Sequence, residues 1–226
     1  MEQLSEQDKL NQVLIKAFAH NSEIAIPLLL RAGADPNVLV SQIGGESETL
    51  LHFLIHQQQH REKKDVTKAI KLLLEDERTD PNIRNGNEIT ALFHAASDNN
   101  IEGVKLLLAD KRTDPNIGCW RSSPLHTAAE HGYAEIVKLL LANERTDPNI
   151  PDHDKVTPLD AARKQYKMTE SDLAKAEGRG DKGTYSYLST RKKGLTEVIS
   201  ALENIAQSKW QRRTEPDSNQ GVNVVR

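Results

Sequence analysis

Cysteine is almost missing from this chain. Cys119 is the single one in 226 residues, which excludes an internal disulfide framework and suits a reducing compartment. Aromatic side chains are scarce at 4%, leaving few platforms on which nucleic-acid bases could stack. An excess of either charge is lacking too. The 30 basic and 33 acidic residues give a formal −3, too balanced for whole-surface attraction to nucleic acid or an anionic membrane. Apolar runs such as Leu139–Ala142 fall far short of the roughly 20 residues that span a bilayer. Met1–Asn11 is polar and charged, unlike a secretory leader. No Walker phosphate loop and no dinucleotide-binding glycine pattern occurs. The expectation is a soluble, cytoplasmic chain with no cofactor and no metal.

What the chain does have is a period. Asp80-Pro81-Asn82, Asp114-Pro115-Asn116 and Asp147-Pro148-Asn149 recur at steps of 34 and then 33. A second landmark keeps the same beat: Thr90-Ala91-Leu92, Ser123-Pro124-Leu125-His126 and Thr157-Pro158-Leu159, at steps of 33 and then 34. Ala32-Gly33-Ala34-Asp35-Pro36-Asn37 and Pro124-Leu125-His126-Thr127-Ala128-Ala129 add further pieces of the same unit. The pattern resembles the ankyrin repeat, a β-turn finger plus two helices per unit. The resemblance implies an all-α solenoid of about five helix-pair repeats, because one pair cannot cover its own apolar face. It also implies a non-catalytic module that binds a protein partner, acting as a monomer.

The expected divisions are an N-terminal capping repeat at 1–37, repeat 2 at 38–82, repeat 3 at 83–116, repeat 4 at 117–149, and repeat 5 with a C-terminal capping helix at 150–209. A disordered tail is expected at 210–226. Ser5-Glu6-Gln7-Asp8 has the spacing of a helix cap, and a second helix is expected from Ser22 or Glu23 to about Ala32, ended by Gly33. In repeat 2 the landmarks Asp35 and Asp80 lie 45 apart. The surplus is assigned to the finger and to a solvated loop at His56–Lys64. In repeat 5 a flexible polar loop is expected at about 169–182. An amphipathic helix then carries Leu195, Val198, Ile199, Leu202 and Ile205.

The resemblance places partner-binding positions in the fingers and at the exposed ends of the first helices. In the fingers these are Arg84, Asn87, Trp120, Arg121, His153 and Asp154. On the helices they are Ser97, Asp98, Glu130, His131 and Arg163. Trp120 leads, because a finger tip has little core to hide an indole and tryptophan is enriched in interface hot spots. Tyr133 is assigned to packing. His52 and His126 fall where the family uses the ring to join turn and helix; Phe93 takes that place in repeat 3, so an apolar contact is expected there. Asn82, Asn116 and Asn149 are expected to hold their own turns. His56 and His60 have the four-residue spacing of a zinc pair, but nothing nearby completes a ligand set. Arg191-Lys192-Lys193 reads as solvated helix-end charge, with an acidic partner or nucleic acid as the alternative. An enzyme or nucleic-acid binder built on 166–226, with a pocket lined by Tyr166, Asp172 and Tyr185, is the competing class. The Glu-Arg-Thr-Asp-Pro-Asn linkers and inserted repeats also look like effectors that intracellular bacteria inject into host cells. That likeness implies a host protein as partner.

Overall fold

A computed structural model describes residues 5–20, 25–41, 47–60, 63–119 and 122–214. Among them are ten helices in five consecutive pairs: α1 Glu6–Ala19 with α2 Ala25–Arg31, α3 Leu50–His60 with α4 Lys63–Glu75, and α5 Ala91–Ser97 with α6 Ile101–Ala109. The last two pairs are α7 Pro124–His131 with α8 Ala134–Ala142, and α9 Pro158–Gly178 with α10 Lys182–Thr214. First helices α3, α5, α7 and α9 pack in one row, and second helices α2, α4, α6, α8 and α10 in another. The architecture is an all-α solenoid.

Local chemistry sets each start. The Ser5 hydroxyl accepts from the Asp8 N–H while the Asp8 carboxylate accepts from the Ser5 N–H, a complete capping box. Thr90, Ser123 and Thr157 repeat the first half of that device at α5, α7 and α9, each hydroxyl accepting an N–H from the first turn. Proline stands at the start of α7 and α9, where its missing donor costs least. The expected start of the second helix, Ser22 or Glu23, lies outside the described residues. Gly33 follows α2 with φ +99°.

Small and branched residues fill the space between the rows. Leu92, Ala95 and Ala96 of α5, Val104 and Leu107 of α6, Ala128 and Ala129 of α7, and Ile136, Val137 and Leu140 of α8 are all fully buried. Paired alanines let the first helices approach, while leucines fill the second row; burying one leucine contributes roughly 1.5–3 kcal/mol.

Three expectations about the irregular parts need correction. The surplus between the helices of repeat 2 is not a loop: α3 continues to His60 and α4 begins at Lys63. In the finger of the same repeat the surplus becomes a hairpin, β1 Leu39–Ser41 antiparallel to β2 Ser47–Thr49, with Leu39 opposite Thr49. Residues 169–178 are likewise helical, as the second half of α9, and the flexible loop shrinks to a tight turn at 179–181 with Gly180 at φ +67°. α10 is longer than expected and runs through Thr214, into the segment assigned to a tail; residues 215–226 lie outside the described residues.

The C-terminal helix closes the stack. Leu195, Val198 and Leu202 are buried against it, while Ile199 and Ile205 are half-buried. The crossing is close because both sides are glycine. A Cβ on Gly194 would lie 2.3 Å from the Gly132 carbonyl oxygen, and Gly132 itself ends α7 in the left-handed region at φ +77°.

Candidate interaction surface

The fingers are tied into a row by side chains that reach from one repeat to the next. Asn37 donates to the Arg78 carbonyl and accepts from the Asp80 N–H, both at 2.8 Å. Asn82 makes the same pair with Arg112 and Asp114, and Asn116 with Arg145 and Asp147, again all at 2.8 Å. The expectation that these asparagines hold their own turns is therefore corrected. That task falls to the aspartates, whose carboxylates accept the N–H two residues on at 2.9 Å in all four motifs. Asn149 is the last of the series.

Arginines reinforce the same ladder. Arg112 donates to the carbonyls of Asp76, Glu77 and Thr79 at 3.0–3.1 Å and is oriented by Asp110, 2.6 Å away. Arg145 does the same for Lys111 and Thr113 at 2.7 Å. A planar fork of donors suits the open carbonyls after a helix C-terminus. The Arg78 guanidinium beside Asp76 holds that carboxyl below its usual range. At Asp110 burial pushes the other way, and the bonds from Arg112 outweigh it.

A third set of bonds joins first helix to next finger. The His52 ring is held by Thr49 at 2.8 Å and donates through Nε2 to the Ile89 carbonyl at 2.9 Å. His126 repeats this with Ser123 at 3.1 Å and the Val156 carbonyl at 2.7 Å. In repeat 3 the Phe93 ring lies against Gly118 of the next finger, where a Cβ would come within 2.9 Å of it, and a hydroxyl adds the polar bond. With Phe93 unable to bond, the Thr90 hydroxyl donates directly to the Ile117 carbonyl at 2.9 Å.

Within this frame the finger candidates are solvent-facing. Arg84 and Asn87 are exposed, Arg84 with a loose 4.0 Å approach to Glu88. His153 and Asp154 are exposed and 3.5 Å apart. Asn85 and Asp152 fix the turns from within: each backbone N–H donates to the carbonyl of the residue four on, Ile89 or Val156, whose own N–H donates back to the Asn85 or Asp152 side-chain oxygen. Glu88 and Lys155 take positive φ, 58° and 61°, a region that favours glycine. Trp120 and Arg121 lie outside the described residues. Their neighbours Cys119 and Ser122 exchange backbone bonds at 2.9 and 3.4 Å across them. A Cβ on Gly118 would lie 2.1 Å from the Ser122 carbonyl oxygen, so only glycine fits there.

The helix-end candidates form a second group, largely engaged by the chain itself. The Ser97 hydroxyl donates to the His94 carbonyl at 2.9 Å, and Asp98 lies 3.3 Å from His94 Nε2. The Glu130 carboxylate accepts from Gln165 at 3.0 Å, and Arg163 pairs with Glu203 at 2.7 Å. His131 Nδ1 is 2.8 Å from the Thr127 carbonyl, and its ring stacks on Tyr133 with centroids 5.3 Å apart. Tyr133 is half-buried, as packing requires, and burial pushes its phenol up.

The basic run is also put to internal use. Arg191 donates to Gln165 at 3.1 Å and to the Glu130 carbonyl at 3.4 Å. Lys192 bonds Glu170 at 2.7 Å with its ammonium 5.2 Å above the Tyr166 ring. Of the three, Lys193 alone is fully solvent-facing. Tyr166 and Asp172 are thus taken up by Lys192 and Lys175, and Tyr185 lines a cavity of about 290 Å³ at the hairpin tip without them. A feature that sequence reasoning missed is a cleft of about 710 Å³ where α10 leans over the helix turns, lined by Asn99, His131, Tyr133, Tyr187 and Arg191. Nothing short of the path of α9 and α10 could have revealed it.

Residues 13–119 and 61–152 match the family model described as ankyrin repeats, three copies. No curated protein matches the chain.

Proposed function

The chain belongs to the ankyrin repeat family, whose repeats are generally protein–protein interaction modules, and from that premise we infer a non-catalytic, monomeric scaffold that docks one protein partner along its fingers. The observation that carries this reading is the asparagine ladder, which sets successive fingers at a fixed spacing before any partner arrives. A surface ordered in advance loses little entropy on association. Arg84, Asn87, His153 and Asp154 present polar chemistry on that edge, and Trp120 with Arg121 supplies the anchor. Ser97, Asp98, Glu130, His131 and Arg163 contribute at the helix ends, where specificity is added by groups already fixed in position.

Trp120→Ala and Arg121→Ala are expected to weaken capture of the partner by tenfold or more, as hot-spot truncations costing about 2 kcal/mol do, with little change in melting temperature. Unchanged capture by both variants removes the assignment. A narrower reading, an effector delivered into a host cell and acting on a host protein, draws on the Glu-Arg-Thr-Asp-Pro-Asn linkers and on the polar C-terminal residues as a secretion signal. Delivery that survives deletion of 211–226 counts against it.

A further inference from the structure

We propose that His56, His94 and Asp98 form a binding site for a single divalent transition cation of the zinc class, bridging repeats 2 and 3. His56 lies on α3, His94 on α5, and Asp98 caps the C-terminus of α5. One ligand atom from each of the three lies within 4.8 Å of those of the other two. Nε2 of His94 is 3.3 Å from a carboxylate oxygen of Asp98. Metal bonds of about 2.0–2.1 Å meeting at a tetrahedral angle place neighbouring ligand atoms about 3.3 Å apart, so this pair already stands at ligand spacing. The two imidazoles are tilted by 31° with centroids 5.6 Å apart, and His56 is exposed.

An i,i+4 ion pair joins His94 and Asp98, and the His56 imidazole stands beside them as a third donor. Two nitrogens and one oxygen are the donor set that suits zinc and its late first-row neighbours, and the exposed side leaves a fourth position for water. Sequence spacing pairs His56 with His60 and leads to an expectation of no metal. The extension of α3 changes the partner: it turns His56 towards α5, and the ligands come from two repeats. The site lies away from the fingers and shares only Asp98 with the helix-end docking positions. Its consequence is a removable clamp between the most irregular repeat and the regular ones.

The test is titration of the full chain with Co²⁺, followed by displacement with Zn²⁺. The expected result is a visible d–d absorption that saturates at one equivalent and is lost on adding zinc. His56→Ala and Asp98→Asn, both at solvent-accessible positions and checked for fold by circular dichroism, are expected to weaken binding beyond the roughly 10–100-fold that outer-shell changes cost. His60→Ala is expected to bind like the parent. Three results would overturn the proposal: no saturable binding at micromolar cobalt, binding as tight as the parent's in both His56→Ala and Asp98→Asn, or loss in His60→Ala with retention in Asp98→Asn. The last would mark an adventitious pair one turn apart on α3.

Discussion

His52 and Thr90 do one structural task with different chemistry, each joining a first helix to the following finger carbonyl. The hydroxyl has no charge to gain near neutrality, whereas the imidazole does. Burial lowers the His52 pKa from 6.5 to about 4, opposed by its bond to the Ile89 carbonyl and assisted by nearby His94. Between those values the unfolded chain takes up a proton that the folded chain refuses. The stability of the neutral state is therefore complete above about pH 6.5 and declines as pH falls towards 4. The limit for one such group is about 3 kcal/mol. Urea midpoints measured at pH 7 and pH 4.5 are expected to fall further in the parent than in His52→Gln. Equal falls would show that other groups govern the acid limb.

The α9–α10 pair is held by two kinds of contact of unequal weight. Lys138–Glu197, Arg163–Glu203 and Lys192–Glu170 are solvent-accessible ion pairs at 2.7–3.0 Å, and such pairs contribute about 0–1 kcal/mol each. Leu195, Val198 and Leu202 are buried. Leu195→Ala is therefore expected to cost about 2–5 kcal/mol, against under about 1 kcal/mol for Lys138→Ala, both read from denaturant midpoints. Comparable losses would mean that charge, and not apolar burial, docks the helix. These are also the elements that sequence reasoning described least well. Leu195 to Ile205 showed a helical stripe because one face is buried. Thr169-Glu-Ser-Asp-Leu-Ala-Lys-Ala-Glu177 has good helix formers but little apolar face to pack, so no period marked it. Glycines at 178, 180 and 183 suggested a loop, and only Gly180 is used for positive φ in a turn.

At the scale of the whole molecule, the stack was legible because its period is written twice, in Asp-Pro-Asn and in Thr-Pro-Leu. The joints were less so. An asparagine following Asp-Pro reads as a turn residue, and its real partners lie in the following repeat. The helix-end candidates were equally opaque: Gln165 meets Glu130 and Glu203 meets Arg163 only because α9 and α10 return across α7. Each asparagine clasp also has a direction. Asn37 closes on Arg78 and Asp80, 41 and 43 residues later, whereas Asn82 and Asn116 close on partners 29 to 32 residues later. On a translating ribosome the repeats that end in Asn37, Asn82 and Asn116 therefore each wait for the next one before they are fastened. The first joint waits longest, so the nascent N-terminal unit spends the most time exposed to chaperones and proteases.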